Sequence, residues 1–305
     1  MLLFTYFYTE INVSLKNIQL IFTFFTLWLS VFFNNSLENM AAFVFILSLG
    51  ILHGANDIGV GVKTFGAHPV FSNKWALLFL YLVSIGGVAL LLFAIPSFTL
   101  LFFVLISGYH FGEQHWSVMV YERTAIRTAF FVSYGLLVFS ILFHAHISSV
   151  TAIIGDITDV YLPPSFFSYL LWISFAITIL LYLLFFRNLF SVGFAWKQLF
   201  YILLFSVVFY STSLLWAFAI YFIFWHSLPS LIDQMNFLYG NTSVQSLFNY
   251  IKESLLYWLV AVGSLGCYYF FLREFAVLDI SMFFAFLTAL TIPHIVMMFF
   301  LKKSV

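Results

Sequence analysis

Long apolar runs, separated by only short polar breaks, fill this 305-residue chain from one end to the other. An α-helix rises about 1.5 Å per residue, so about 20 apolar residues cross the hydrocarbon of a bilayer. The whole length is taken up by such spans. Hydrophobic residues make up 64% and charged residues only 7%, with a mean hydropathy of +1.10. Soluble domains carry roughly a quarter charged residues. The expectation is therefore all-α: one polytopic integral membrane helix bundle over residues 1–305, with no soluble domain.

Breaks between the runs place about ten transmembrane helices, with eight or nine as alternatives, near 17–34, 39–55, 74–95, 97–116, 125–147, 166–187, 195–212, 213–229, 252–271 and 277–301. Pro96 and Pro163-Pro164 mark firm boundaries, because proline disfavours helix in the residue before it. The thinnest boundary is Tyr210-Ser211-Thr212-Ser213. Residues 1–16 are apolar and aromatic, hold Glu10 and lack a basic start, so they read as an amphipathic lead-in instead of a cleaved signal.

Basic residues orient the bundle. With the N-terminus on the cytoplasmic side of the cell's inner (plasma) membrane, Lys16, Lys63, Lys74, Arg123, Arg127, Arg187, Lys197, Lys252, Lys302 and Lys303 all fall on the cytoplasmic side, and only Arg273 falls outside. The outer loop at 148–165 holds Asp156 and Asp159 and no Lys or Arg. Both termini are then cytoplasmic. The formal net charge is zero and no basic run precedes Lys302-Lys303, which argues against a nucleic-acid partner. The one cysteine, Cys267, rules out an internal disulfide and a thiolate cluster.

Eight histidines stand out in so apolar a chain. Within spans they are costly unless partnered, and so are candidates for function. His53, His110, His226 and His294 lie late in the second, fourth, eighth and tenth expected helices, which all run from outside to inside. Each sits roughly 13 to 18 residues along its span, hence at similar depth in the cytoplasmic half. One membrane histidine alone is more often an interhelical contact than a ligand. Four at one level on four parallel helices match a metal site within a bundle. His144 and His146 lie near the opposite face, His68 precedes Pro69 in a loop, and His115, five residues past His110, either supports a ligand from behind or sits at the membrane interface.

Carboxylates follow two of the four by about one turn: Asp57 after His53, and Glu113 after His110. Such groups orient metal-bound imidazoles, though both carboxylates could instead reach cytoplasmic headgroups. Gly54 and Gly112 allow close helix approach beside the histidines. Imidazole suits iron, zinc and copper. Four neutral ligands leave about two positions open on an octahedral iron(II). A transport relay fits less well, since the carboxylates cluster toward helix ends instead of mid-membrane.

The segments His53-Gly-Ala-Asn-Asp57, Tyr109-His110-Phe-Gly-Glu113, Trp225-His226-Ser227-Leu228 and Pro293-His294 resemble, in order, the signatures of the Brp/Blh family, membrane-bound bacterial and archaeal β-carotene 15,15′-dioxygenases. The resemblance runs from about residue 45 to the C-terminus. It implies an Fe(2+)- and dioxygen-dependent enzyme that splits β-carotene at its central double bond into two retinals, often to supply a rhodopsin, with His53, His110 and His226 as iron ligands. The chain departs from the family's pattern twice. Ser230 stands where the family places the second histidine of His-x-x-x-His, and His115 stands where it tends to carry aspartate. Either His294 or His115 could fill the place lost at Ser230, and depth favours His294. These departures leave room for a diverged member that acts on another polyene or lacks cleavage activity.

Two further readings compete. A two-iron desaturase or hydroxylase needs clustered HxxxH and HxxHH runs, which this chain lacks. A transporter or structural membrane protein would bind no stoichiometric metal and would tolerate loss of His53 and His226. A C40 carotenoid is an apolar rod of about the membrane's thickness. Its enzyme needs a lipid-facing tunnel, although the 44 phenylalanines would also suit lipid contact alone.

Overall fold

The computed structural model describes residues 2–66, 73–116, 124–271 and 280–304, and all regular structure among them is helical. His68, Arg123 and Arg273 lie outside the described residues. The chain opens with α1 (Leu2–Ser30), which takes in the expected lead-in, and α2 (Asn35–Phe45). A π segment (Ile46–Gly50) and a turn at 53–56 lead into α3 (Asp57–Phe65). Next come α4 (Lys74–Ala94), α5 (Pro96–Trp116), α6 (Ala125–Ala145), α7 (Ile147–Thr158) and α8 (Pro164–Leu181). After α9 (Val192–Ser211) and α10 (Leu214–Ile220), a second π segment (Tyr221–Ser227) joins α11 (Leu228–Tyr239). Two long helices, α12 (Val244–Phe271) and α13 (Ile280–Ser304), close the bundle.

Local chemistry sets many boundaries. Side chains of Asn34, Asn73, Thr124 and Ser191 accept hydrogen bonds from the first backbone N–H groups of α2, α4, α6 and α9. Pro96 and Pro164 begin α5 and α8, where a missing N–H costs nothing. The thin boundary at 210–213 is a real break between α9 and α10.

Among the described residues, six helices are long and apolar enough to cross a membrane: Lys74–Ala94, Ala125–Ala145, Pro164–Phe186, Val192–Ser211, Leu214–Tyr239 and Ile280–Phe300. The second expected helix, 39–55, is broken by the π segment and the turn that follows it. The fourth, α5, carries Ser107, His110, Glu113, Gln114 and His115 near its end, so its apolar stretch is short. The expected outer loop at 148–165 is largely helical: α7 has 12 residues, too few to span at about 1.5 Å each. It ends where Asp159 adopts a left-handed φ of 58°. Outward faces of α4, α8 and α9 are crowded with exposed Leu, Phe and Trp, such as Phe79, Trp172 and Leu203. So much exposed apolar surface suits lipid, not water.

Close crossings hold the interior together. Gly112 of α5 meets the Phe131 backbone of α6, and Gly135 of α6 meets that of Gly108. An added Cβ at either place would collide with a carbonyl oxygen. Buried hydroxyls of Ser140 and Ser174 pair at 2.9 Å between α6 and α8. Trp225 Nε1 donates to Thr23 Oγ1 at 2.9 Å, and Gln19 Nε2 donates to the Phe224 carbonyl at 2.7 Å, docking α1 on the second π segment.

Irregular backbone needs such partners, because hydrocarbon offers none. The stretch from Leu47 to His53 obtains them from α11 and α12. Trp258 Nε1 donates to the Leu47 carbonyl at 2.7 Å. The His53 carbonyl accepts from Tyr250 Oη at 2.7 Å and from Gln234 Nε2 at 2.8 Å. The two π segments pack on each other, with Gly50 against the ring of Phe222, where a Cβ would come within 2.8 Å.

Candidate metal centre

Each of the four deep histidines occupies a departure from plain α-helix or a tight crossing. His53 lies in the turn after the first π segment, and His226 lies within the second. His294 follows Pro293, which removes one backbone donor inside α13. His110 lies between Gly108 and Gly112, where α5 is pressed against α6. π segments and prolines turn side chains off the regular helical face, and they recur at functional sites for that reason.

The four imidazoles form a closed ring. Ring centroids are 4.8 Å apart for His53–His294, 5.6 Å for His294–His110, 4.8 Å for His110–His226 and 5.2 Å for His226–His53. Neighbouring planes are steeply crossed, at 87°, 79°, 74° and 87°. All four residues are buried. Ligating nitrogens of His53, His226 and His294 lie within 4.8 Å of one another. Two nitrogens bound to one ion at about 2.1 Å each are at most about 4.2 Å apart. Shifts of a few tenths of an ångström would let these three share an ion.

Outer hydrogen bonds fix the protons. His53 Nδ1 is bonded to the Gly50 carbonyl, which can only accept, so Nδ1 carries the hydrogen. His294 Nδ1 contacts both oxygens of Asp57, at 2.9 and 3.0 Å, and donates to that carboxylate. Asp57 in turn accepts from Tyr81 Oη at 2.6 Å. Both histidines are thereby left with an unprotonated Nε2, buried and without a hydrogen-bond partner among the described residues. A buried lone pair with no donor is costly in a folded core and is what a metal ion satisfies. On this observation the residues fit a divalent transition metal.

Partners among the expected helpers differ from the helical-spacing argument. Asp57 serves His294 and not His53, because the turn at 53–56 interrupts the helix and cancels the i+4 relation. Glu113 accepts from Tyr109 Oη at 2.8 Å and lies 4.0 Å from Arg127. His115 points to another side of α5, bonded to Gln198 at 2.7 Å among Tyr134, Tyr201 and Trp225. Ser230 is buried beside Gln234, whose Nε2 lies 3.4 Å from its hydroxyl. Of the two candidates for the lost position, His294 stands in the histidine ring. His144 is held near Tyr210 and Ser168, away from the ring. At the α6–α7 junction, burial holds the His146 imidazole below its usual range.

Sequence reasoning missed Tyr81, Gln234 and Tyr250. Gln234 carried a signal, since it stands one helical turn after Ser230 and shares its face. Tyr81 and Tyr250 carried none, because each looks like one more aromatic in an apolar helix.

A cavity of about 870 Å³ opens beside the centre. His53, His226 and His294 line it at one end, with Asp57 and Tyr81. Its other walls are mostly apolar and come chiefly from α4, α12 and α13, with Ile58 of α3, Phe222 of the second π segment and Asp156 and Ile157 of α7. Leu82 and Phe93 of α4 and Leu256 and Val260 of α12 line it while also being exposed at the protein's surface, so the cavity opens sideways between these helices.

A sequence profile of the beta-carotene 15,15′-dioxygenase family matches residues 44–302. The chain belongs to that family. The match takes in all four histidines, both π segments and every element that lines the cavity. It excludes α1, whose contacts through Gln19 and Thr23 brace the second π segment from behind. No curated protein and no solved structure matches the chain significantly. Membership in the beta-carotene 15,15′-dioxygenase family supports a carotenoid dioxygenase type of function, and the buried His53, His226 and His294 could hold a metal ion.

Proposed function

We propose that the protein cleaves a β-carotene-type polyene at its central double bond into two retinals, using an iron(II) ion held by His53, His110, His226 and His294. The observation that carries this reading is the ring of four buried imidazoles opening onto a long apolar cavity. When bound, iron(II) supplies the activation of dioxygen that oxidative cleavage of a carbon–carbon double bond requires.

The protein's own part is placement and exclusion. Gly50 and Asp57 hold the imidazoles of His53 and His294 in one tautomer, with lone pairs turned inward. Tyr250 and Gln234 pin the His53 backbone so that the turn cannot drift. Apolar walls from α4, α12 and α13 align the polyene against the histidines and keep water out. Entry is sideways from lipid, between α4 and α12, since a C40 polyene never leaves the bilayer. No side chain is asked to move a proton.

The membrane arrangement belongs to the same proposal. α1, α5, α12 and the broken 39–55 segment complete a bundle of about ten passes in the plasma membrane, with both termini cytoplasmic, as the Lys and Arg distribution favours. Retinal released into the bilayer would be available to a rhodopsin.

Expression in a β-carotene-accumulating bacterium tests the activity, with wild type beside His110→Ala and iron measured in both purified proteins. The expected result is bleaching with retinal formed and about one iron per wild-type chain, and neither in the variant. Retained colour in an iron-replete, well-expressed wild type would overturn the proposal.

A further inference from the structure

The Phe224 carbonyl in the second π segment receives no hydrogen bond from its own helix. In this segment the bonds run five residues back, and the Leu228 N–H donates to the Ile223 carbonyl. Leu228 is thus committed. The residue five past Phe224 is Pro229, which has no N–H to give. The carbonyl so orphaned stands two residues before His226, within Leu214–Tyr239, one of the helices apolar enough to cross a membrane. Hydrocarbon offers no water in place of the missing donor.

A distant part of the chain fills the gap. Gln19 of α1 is wholly buried, and its Nε2 donates to the Phe224 carbonyl at 2.7 Å. One turn on, Thr23 Oγ1 donates to the Gln19 carbonyl at 2.7 Å and accepts from Trp225 Nε1 at 2.9 Å. The rings of Phe22 and Phe224 stack at 5.5 Å, and Lys16 Nζ stands 4.9 Å from the centre of the Trp225 ring. The two residues just before His226 are therefore both held from α1. The first π segment has a parallel device, its Leu47 carbonyl taking a donor from Trp258.

We propose that Gln19 is a positioning residue for the metal centre: by satisfying the carbonyl that Pro229 orphans, it holds the π turn that aims His226 into the histidine ring. The inference rests on the metal-binding role proposed above. It adds α1, which lies outside the family-matching residues 44–302, to that centre. Without Gln19, the nearest way to satisfy the carbonyl is for the Leu228 N–H to move from Ile223 to Phe224, the four-residue spacing of an α-helix. That move tightens the segment and turns His226 away from His53 and His110, whose rings stand 5.2 and 4.8 Å from its own.

Cobalt(II) is the probe, titrated into the purified full chain in lipid nanodiscs, with affinity and the visible ligand-field spectrum as readouts. Gln19→Met keeps the length and burial of the side chain but has no donor. Pro229→Ala gives residue 229 an N–H within reach of the Phe224 carbonyl. Gln19→Met is expected to weaken cobalt binding about tenfold or more and to alter the spectrum. Pro229→Ala alone should stay close to wild type. The double variant should regain wild-type affinity and spectrum, because the helix then serves its own carbonyl. If Gln19→Met does not fold, the double variant decides: folded protein with near-wild-type cobalt binding supports the inference, and its failure overturns it. Unchanged binding and spectrum in Gln19→Met, or a loss that Pro229→Ala does not restore, overturns the inference and leaves the metal centre standing. Wild type that binds no cobalt(II), or binds it no better than His226→Ala, overturns the metal centre and the inference with it.

Discussion

Which nitrogen of each imidazole carries its proton decides whether a metal can be held. At His294 that choice is made by Asp57, itself held by Tyr81. Asp57→Asn keeps the shape but lets the amide present either donor or acceptor, so the tautomer is no longer imposed. Iron affinity should fall about 10- to 100-fold while the protein still folds, and titration of purified variant with iron(II) checks it. Tyr81→Phe removes only the outer bond and should cost less. Gly54 offers a second test, because a Cβ there would sit 3.3 Å from His294 Nδ1, tighter than ordinary contact. Gly54→Ala should displace the ring and weaken metal binding with little effect on expression. The four histidines of the ring were visible in the sequence because histidine is rare in apolar helices and these four shared one depth. Partners such as Tyr81 and Tyr250 were not, since a tyrosine whose hydroxyl is committed looks the same in sequence as one facing lipid.

Among the elements, departures from regular helix do the positioning. Periodicity located α4, α6, α8, α9 and α13 well, since each is one apolar run between breaks. It read 39–55 as one helix and 148–165 as a loop. In the first, the apolar character continues through the π segment and turn, so nothing marks the break. In the second, Ser, Thr, Gly and Asp in a short stretch look like a loop, although Ile147, Val150 and Ile153 repeat with helical spacing. The irregular stretch near His53 stands on a few side-chain bonds. Tyr250→Phe removes one from the His53 carbonyl and one from Gln234, and should lower stability by about 1 kcal/mol, read as an earlier thermal transition in detergent. At the α5–α6 crossing the obstacle is backbone, which no rotamer change relieves. Gly112→Ala should cost about 3 kcal/mol or prevent folding, seen as loss of monodisperse protein on size exclusion.

For the whole molecule, lipid is the solvent and, in the proposed function, the source of substrate. The exposed apolar faces of α4, α8 and α9 set the protein in the bilayer, and the cavity opens sideways into the same medium. Narrowing that opening should slow entry without disturbing the metal. Val260→Trp is expected to raise the apparent KM for the polyene severalfold with iron content unchanged, and a variant that lost iron instead would show the opening to be part of the centre. The second π segment has a consequence for how this chain can vary. It accommodates one residue more than an α-helix of the same path, and residues follow one another by about 100° around an α-helix. Deleting one residue between Tyr221 and Ser227 would therefore let the segment close into plain α-helix with α11 left on its path, yet turn His226 out of the histidine ring. Relatives should keep the length of this stretch as strictly as its histidine, and vary its other side chains more readily.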